Sequence, residues 1–225
     1  MVYSEDDSVS RPSQRLLDVG LESAKSACRI DLSDLVRRVR GRLRYPDYVV
    51  NVWPGEHYRL LAGLVKVLCP KLVIEIGTAE GLSALSLLEY LPRNGRVLSF
   101  DIVPWRDYPA TCLEEGDFAS GRLQQQLGNL ALREVFARHQ EVVQQADLIF
   151  VDASKDGIFE KKLIENVETI QFKNPPIFVF DDVRLWNMLG IWRALRWPKM
   201  DLTSFGHWSG TGICEPILPV EGAPV

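Results

Sequence analysis

Four short apolar runs in this chain each end in residues suited to polar chemistry. Leu72-Val-Ile-Glu-Ile runs into Gly77, Val97-Leu-Ser-Phe into Asp101, Leu148-Ile-Phe-Val into Asp152, and Ile177-Phe-Val-Phe into the pair Asp181-Asp182. One such aspartate is often only a helix cap, and Asp181 and Asp182 carry that reading ahead of a helix expected from near Arg184. Four ends bearing Gly or Asp are harder to dismiss. The first, Glu75-Ile-Gly77-Thr-Ala-Glu-Gly81-Leu-Ser83, sets two glycines where the chain can turn tightly and bring backbone N–H groups close to a ligand. A helix N-terminus then faces that ligand. The spacing is G-x-x-x-G, not the G-x-G-x-x-G of nicotinamide dinucleotide binders. Twenty residues past Gly81 stands Asp101, a carboxylate able to accept both hydroxyls of a ribose.

The elements that would position these groups follow from the same runs. Segments this short and apolar on both faces read as buried parallel strands. Helical spacing fills the intervals at 82–91, 130–145, 159–170 and 185–197. Strand alternating with helix predicts an α/β, doubly wound, Rossmann-like sheet, which binds ligands beyond the carboxyl ends of its strands. Residues 122–127 are a weaker strand. Residues 200–205 and 212–217 flank His207-Trp-Ser-Gly-Thr as two strands and a turn. Towards the N-terminus, residues 1–10 are polar and read as loose. Residues 12–29 and 31–44 have helical spacing, Pro46 and Asn51-Val-Trp-Pro-Gly interrupt it, and a helix fits 56–68 before Pro70.

Composition bounds the function. The 225 residues are 46% hydrophobic and 25% charged with a net charge of −4, which excludes a disordered or collagen-like chain. No apolar run approaches the ~20 residues of a membrane helix. A mildly acidic chain is a poor general binder of nucleic acid. Cys28, Cys69, Cys112 and Cys214 are scattered with no zinc spacing, as expected of free thiols in a reducing compartment. The acidic N-terminus lacks a signal-peptide layout, so a cytoplasmic location is expected.

The first motif, Glu75-Ile-Gly77-x-x-x-Gly81-x-Ser83, resembles that of class I S-adenosylmethionine-dependent methyltransferases, and Asp101 and the closing strand pair fit the same family. The resemblance implies a seven-stranded, mostly parallel sheet with an antiparallel last strand. It implies a methyltransferase domain over residues 51–225, with residues 1–50 as a helical cap or dimerisation extension. Asp147-Leu-Ile-Phe-Val-Asp152-Ala-Ser-Lys155-Asp156 and the later Asp181-Asp182 resemble the metal-dependent catechol and caffeoyl-coenzyme A O-methyltransferases. That likeness implies Asp152, Asp181 and Asp182 as ligands of a divalent cation, usually magnesium, and Lys155 as base. Asp182 stands where that group has asparagine, so the cage would be more anionic. S-adenosylmethionine, leaving as S-adenosylhomocysteine, would be held by Glu75, Gly77, Thr78, Gly81, Ser83, Asp101, Ile102 and Asp152. Glu56, in a segment loosely similar to one that reaches the cofactor there, and Asn129, as an adenine contact, would join them.

Methyl transfer from a sulfonium is an in-line displacement governed by alignment. A cation on the acceptor would lower its hydroxyl pKa, and a Lys155 held near that cation would have a depressed pKa and take the proton. His207 is a further catalytic candidate. Trp53 or Trp208 could wall an aromatic pocket; Trp186 and Trp197 share a helix face and read as core. Arg37, Arg38, Arg40, Arg42 and Arg44 form either a solvated face or a contact for an anionic partner. The expected partner is a small hydroxyl acceptor, with a homodimer as an open reading and neither membrane nor nucleic acid expected. The competing readings are a metal-independent or nucleic-acid methyltransferase, a dinucleotide dehydrogenase, and a catalytically silent S-adenosylmethionine-binding protein.

Overall fold

The computed structural model describes residues 10–185 and 187–216. The loose segment expected before residue 10, Trp186 and the end of the last expected strand at Ile217 lie outside the described residues. Seven strands, β1 (Leu72–Ile76), β2 (Arg96–Asp101), β3 (Leu123–Leu127), β4 (Leu148–Val151), β5 (Ile177–Asp181), β6 (Lys199–Asp201) and β7 (Thr211–Cys214), form one sheet in the order β3-β2-β1-β4-β5-β7-β6. The pairings from β3 through β5 are parallel, and β7 runs antiparallel to both β5 and β6. This is the architecture the alternating runs predict.

Every residue of β1, β4 and β5 is buried, because helices cover both faces. On one face lie α1 (Gln14–Ala27), α2 (Ser33–Val39), α3 (Pro46–Asn51), α4 (His57–Leu68) and α5 (Leu82–Glu89). Their Leu16, Leu35, Leu61 and Leu85 pack with Val73, Phe150 and Val179. The opposite face is covered by α7 (Arg133–Gln144), α8 (Phe159–Val167) and α9 (Met188–Ala194), whose Val135, Leu163 and Trp192 join Ile74, Ile149 and Phe178. The short α6 (Glu115–Phe118) precedes β3. Burying each such Leu or Phe contributes about 1.5–3 kcal/mol, so the N-terminal helices are fixed to the sheet by the same core that holds α4 and α5.

Three expectations need correction. The helix expected over 31–44 ends at Val39, because Arg40 is extended and Gly41 turns the chain at φ +90°. Pro46 starts a helix instead of interrupting one: it sits in the first turn of α3, where the missing N–H costs nothing. The strand expected over 200–205 stops at Asp201, whose carboxylate accepts the Thr203 N–H and Oγ–H (2.8 and 2.5 Å) and folds 203–205 into a 3-10 turn.

Candidate active site

The chain runs outward from β1 to β3 and then returns to β4 on the other side of β1, so strand order reverses between β1 and β4. Ligands of such sheets bind in the crevice that this reversal opens. Gly77 and Asp152 are the first residues beyond those strands. The Gly77 N–H still donates to Phe100 O, and the Asp152 N–H to Ile76 O, each at 2.8 Å. Gly77 has φ +106°, and a Cβ on it would stand 1.9 Å from Asp152 O; only glycine lets the two strand ends approach this closely.

On the β2 side, Asp101 organises the loop. One carboxylate oxygen accepts the Thr78 and Ala79 N–H groups (2.8 and 3.1 Å) and the other accepts from Val103 (3.0 Å). A carboxylate has room for further donors beyond these three. Asp101, Gly77, Ile102, Asn129 and Asp152 line a cleft of about 260 Å³. Ile102 is 71% exposed on its rim, and the Asn129 side-chain oxygen accepts the Ala131 N–H at 2.9 Å. Two residues expected at the cofactor are elsewhere. Glu75 is fully buried beneath the loop, accepting from Ser83 Oγ (2.6 Å) and Ser99 Oγ. Burial pushes its carboxyl up to about 8 against those two hydrogen bonds. Glu56 is paired with Arg59 at 3.0 Å and does not line this cleft. A second opening, lined by His57, Tyr58, Gly81, Ser83 and Tyr108, meets the first at Gly77, Ala79 and Asp152.

The β4, β5 and β7 ends bring acids together. Lys155 is buried with φ +54°, its N–H donating to the fully buried Glu160 at 2.8 Å. That brace turns its side chain back: Nζ lies 2.5 Å from Asp152 Oδ1, 3.1 Å from Ala153 O and 3.5 Å from Asp182 Oδ2. Burial lowers the Lys155 pKa, but Asp152, Asp181 and Asp182 outweigh it and the net shift is upward. The depressed value expected beside a cation is therefore not what the carboxylates alone produce. Asp152 shows the converse: burial raises its pKa, and the Lys155 ammonium brings it below the usual carboxylate value. Asp181 is pushed well up, by burial first and then by the Asp152 and Asp182 charges.

Two histidines complete the cluster. His57 Nδ1 lies 3.6 Å from Asp181 Oδ1; both residues are about 97% buried, and neither atom has a hydrogen-bond partner. Burial takes His57 down to about 3. His207 Nδ1 lies 3.7 Å from Asp182 Oδ1, with Ser209 Oγ in contact with both. Among the described residues, Asp181, Asp182 and His207 offer ligand atoms all within 4.8 Å of one another. Two carboxylates and an imidazole, one of the carboxylates buried with an unpartnered oxygen, fit a divalent cation. Asp152, expected as a ligand, is ion-paired with Lys155 instead. Sequence reasoning missed Ser209 and Glu160 altogether, because their roles depend on β7 and α8 folding back against β5 and β4; no local spacing marks them.

The segment before α4 walls this end. Gly55 bridges to His207, and the Trp208 N–H donates to Pro54 O at 2.9 Å. Trp53 and Trp208, both half exposed, lie 5.7 Å apart across a tilted ring contact. Four of the five arginines of the N-terminal stretch are paired with acids of the chain. Arg37 pairs with Asp34, Arg38 with Glu89, Arg40 with Asp47, and Arg42 with Glu114 and Asp117, while Arg44 lies over Tyr45.

Comparison with known proteins gives the family. Residues 26–189 match the O-methyltransferase family. The probable caffeoyl-CoA O-methyltransferase 3 of Dictyostelium discoideum is 30% identical over 151 residues, which cover 63% of this chain and 57% of that protein. This chain thus spans under two thirds of that relative's length. The O-methyltransferase of Bacillus cereus, solved in complex with SAH, superposes with a TM-score of 0.52 at 18% identity, over 87% of this chain and 90% of the other. TomG of Streptomyces achromogenes, an O-methyltransferase solved with SAM, gives 0.51 at 15% identity over 95% and 99%. Those two likenesses are of fold; the family match spans most of the chain, and by it this protein belongs to the O-methyltransferase family.

Proposed function

We propose that the chain is an S-adenosylmethionine-dependent O-methyltransferase acting on a small molecule whose adjacent oxygens chelate a divalent cation, magnesium or a similar ion. One observation carries this reading. Gly77 and Asp152 line both openings, so a cofactor laid across the β1 end is contiguous with the acid cluster beyond β4 and β5. Asp101, Ile102 and Asn129 would hold the adenosine, and Thr78, Gly81 and Ser83 the amino-acid end. Glu75 and Glu56 would act through the loop and α4. Bound S-adenosylmethionine supplies an electrophilic methyl carbon. The chain aligns the acceptor against it, a contribution of proximity and orientation.

The acceptor's proton is the other requirement. A cation at the β5 end would lower the acceptor hydroxyl pKa and offset the charge on Asp181 and Asp182. Removing the hold of these carboxylates also lowers the pKa of Lys155 towards one at which Nζ can accept a proton. His207 and the Trp53–Trp208 pair would bound the acceptor. A second reading, metal-independent transfer, is favoured by one observation: the Lys155 ammonium already spans Asp152 and Asp182. The paired arginines disfavour a nucleic-acid acceptor. We read residues 1–50 as a cap or dimerisation arm of a cytoplasmic homodimer, supported by exposed Tyr45 and Tyr48 and by four free cysteines.

Incubation with deuteromethyl S-adenosylmethionine and a panel of catechols, polyketides, sugars and hydroxyl peptides tests the reading. A labelled methyl ether suppressed by chelator is expected. A chelator-resistant product selects the metal-independent reading, and absence of turnover across the panel contradicts both.

A further inference from the structure

We infer that Gln125 is a positioning residue for Asp101, and through it a determinant of selectivity for the ribose diol of the cofactor. This rests on the S-adenosylmethionine reading of the β1 crevice. The observation is a pair of side chains that grip the same two residues. The Asp101 carboxylate accepts the N–H groups of Thr78 and Val103, at 2.8 and 3.0 Å. The Gln125 side-chain amide donates to Thr78 Oγ1 and to Val103 O, at 3.0 and 3.1 Å. Its Oε1 accepts the Trp105 N–H at 2.9 Å. One amide thereby ties the loop after β1 to the loop after β2, the two loops that hold the carboxylate.

The backbone partners settle how this amide is turned. The Trp105 N–H requires the oxygen and the Val103 carbonyl requires the nitrogen, so Thr78 Oγ1 receives a proton from Gln125. The Thr78 hydroxyl then gives its own proton to Ser99 Oγ, 2.7 Å away, and Ser99 donates to Glu75. The donors run in one direction from the edge strand β3 to the buried Glu75, which fixes the rotor of each hydroxyl on the way. Gln125 shares a face of β3 with Leu123, which is buried in the core, and it does not itself line the cleft. An apolar side chain at that register would pack on the same face but leave Thr78 and Val103 held by Asp101 alone. The carboxylate would then turn with the loops, and its two oxygens would no longer meet a ribose diol at a fixed angle.

The test is calorimetric and uses the full chain with S-adenosylhomocysteine and its 2′-deoxyribose analogue. The wild type should prefer the ribose form at least about tenfold, the worth of one hydrogen bond to a charged group. In Gln125→Leu, binding of S-adenosylhomocysteine should weaken about tenfold while that of the deoxy analogue changes little, so the preference collapses. Gln125→Glu keeps the acceptor for Trp105 but loses both donors. It should act in the same direction, and it serves if the leucine variant does not fold, as judged by thermal unfolding without ligand. A preference kept intact in the folded variants overturns the inference. So does equal weakening of both ligands, since general support of the cleft would act on both alike. Wild-type binding of S-adenosylhomocysteine with no preference for the ribose form also overturns it, and leaves the methyltransferase reading standing. No binding of either ligand by the wild type contradicts that reading and takes the inference with it.

Discussion

The two halves of the sheet edge handle charge in opposite ways. Between β1 and β3 Asp101 and Glu75 are satisfied from within, Asp101 by three backbone N–H groups and Glu75 by two serine hydroxyls. Between β4 and β7, three aspartates face one ammonium, and Asp181 and His57 keep buried atoms with no partner. The first half is a finished cradle, organised before any ligand arrives. The second is unfinished: its carboxylates outnumber the ammonium that faces them. A site of this kind separates binding from chemistry along the sheet, and substitutions should sort accordingly.

Gly77→Ala should have the largest effect, because Gly77 is the seam. A positive φ and a Cβ 1.9 Å from Asp152 O together cost about 3 kcal/mol or more, so S-adenosylhomocysteine affinity, turnover and denaturant stability should all fall. Loss of only one of these would break the picture of a shared edge. Lys155→Ala acts on the unfinished half alone. Turnover should drop about 10²–10⁴-fold with S-adenosylhomocysteine affinity by calorimetry nearly unchanged; an affinity loss matching the rate loss would show that the halves are not separable. Asp101→Ala is its counterpart: about 1–3 kcal/mol of stability is lost as backbone N–H groups lose their acceptor, and the rate at saturating cofactor changes least.

Glu75→Gln tests a sign. The folded pKa of Glu75, about 8, lies above its ordinary 4.5, so the folded state binds the proton more tightly. The stability it contributes is fully present below pH 4.5 and is lost as pH rises through 8. The amide variant should flatten that decline in urea titrations across this window. An identical slope would mean that Glu75 is ionised in the folded protein.

The finished half was legible in the sequence because its chemistry is local: the Gly77–Gly81 spacing, the acidic end of β2 and the apolar strands lie within short windows. The other half was legible as residue types but not as pairings. Asp152, Lys155, Asp181 and Asp182 stand out by position, yet Lys155 turning onto Asp152 depends on Glu160 beneath it. His207 reaches Asp182 only because β7 doubles back antiparallel beside β5. The helix end at Val39 is hidden for a simpler reason: apolar periodicity continues through it, and the backbone at Arg40 and Gly41 overrides it. Pro46 reads as a breaker although the first helical turn accepts it.

In the proposed reading the β1 crevice holds S-adenosylmethionine and feeds an acid-lined acceptor site. Calorimetric titration of the wild-type chain with S-adenosylhomocysteine and, separately, with NAD tests it most directly. Expected are saturable binding of S-adenosylhomocysteine, weakened at least about tenfold in Asp101→Ala, and none of NAD. Binding of NAD without S-adenosylhomocysteine would contradict it.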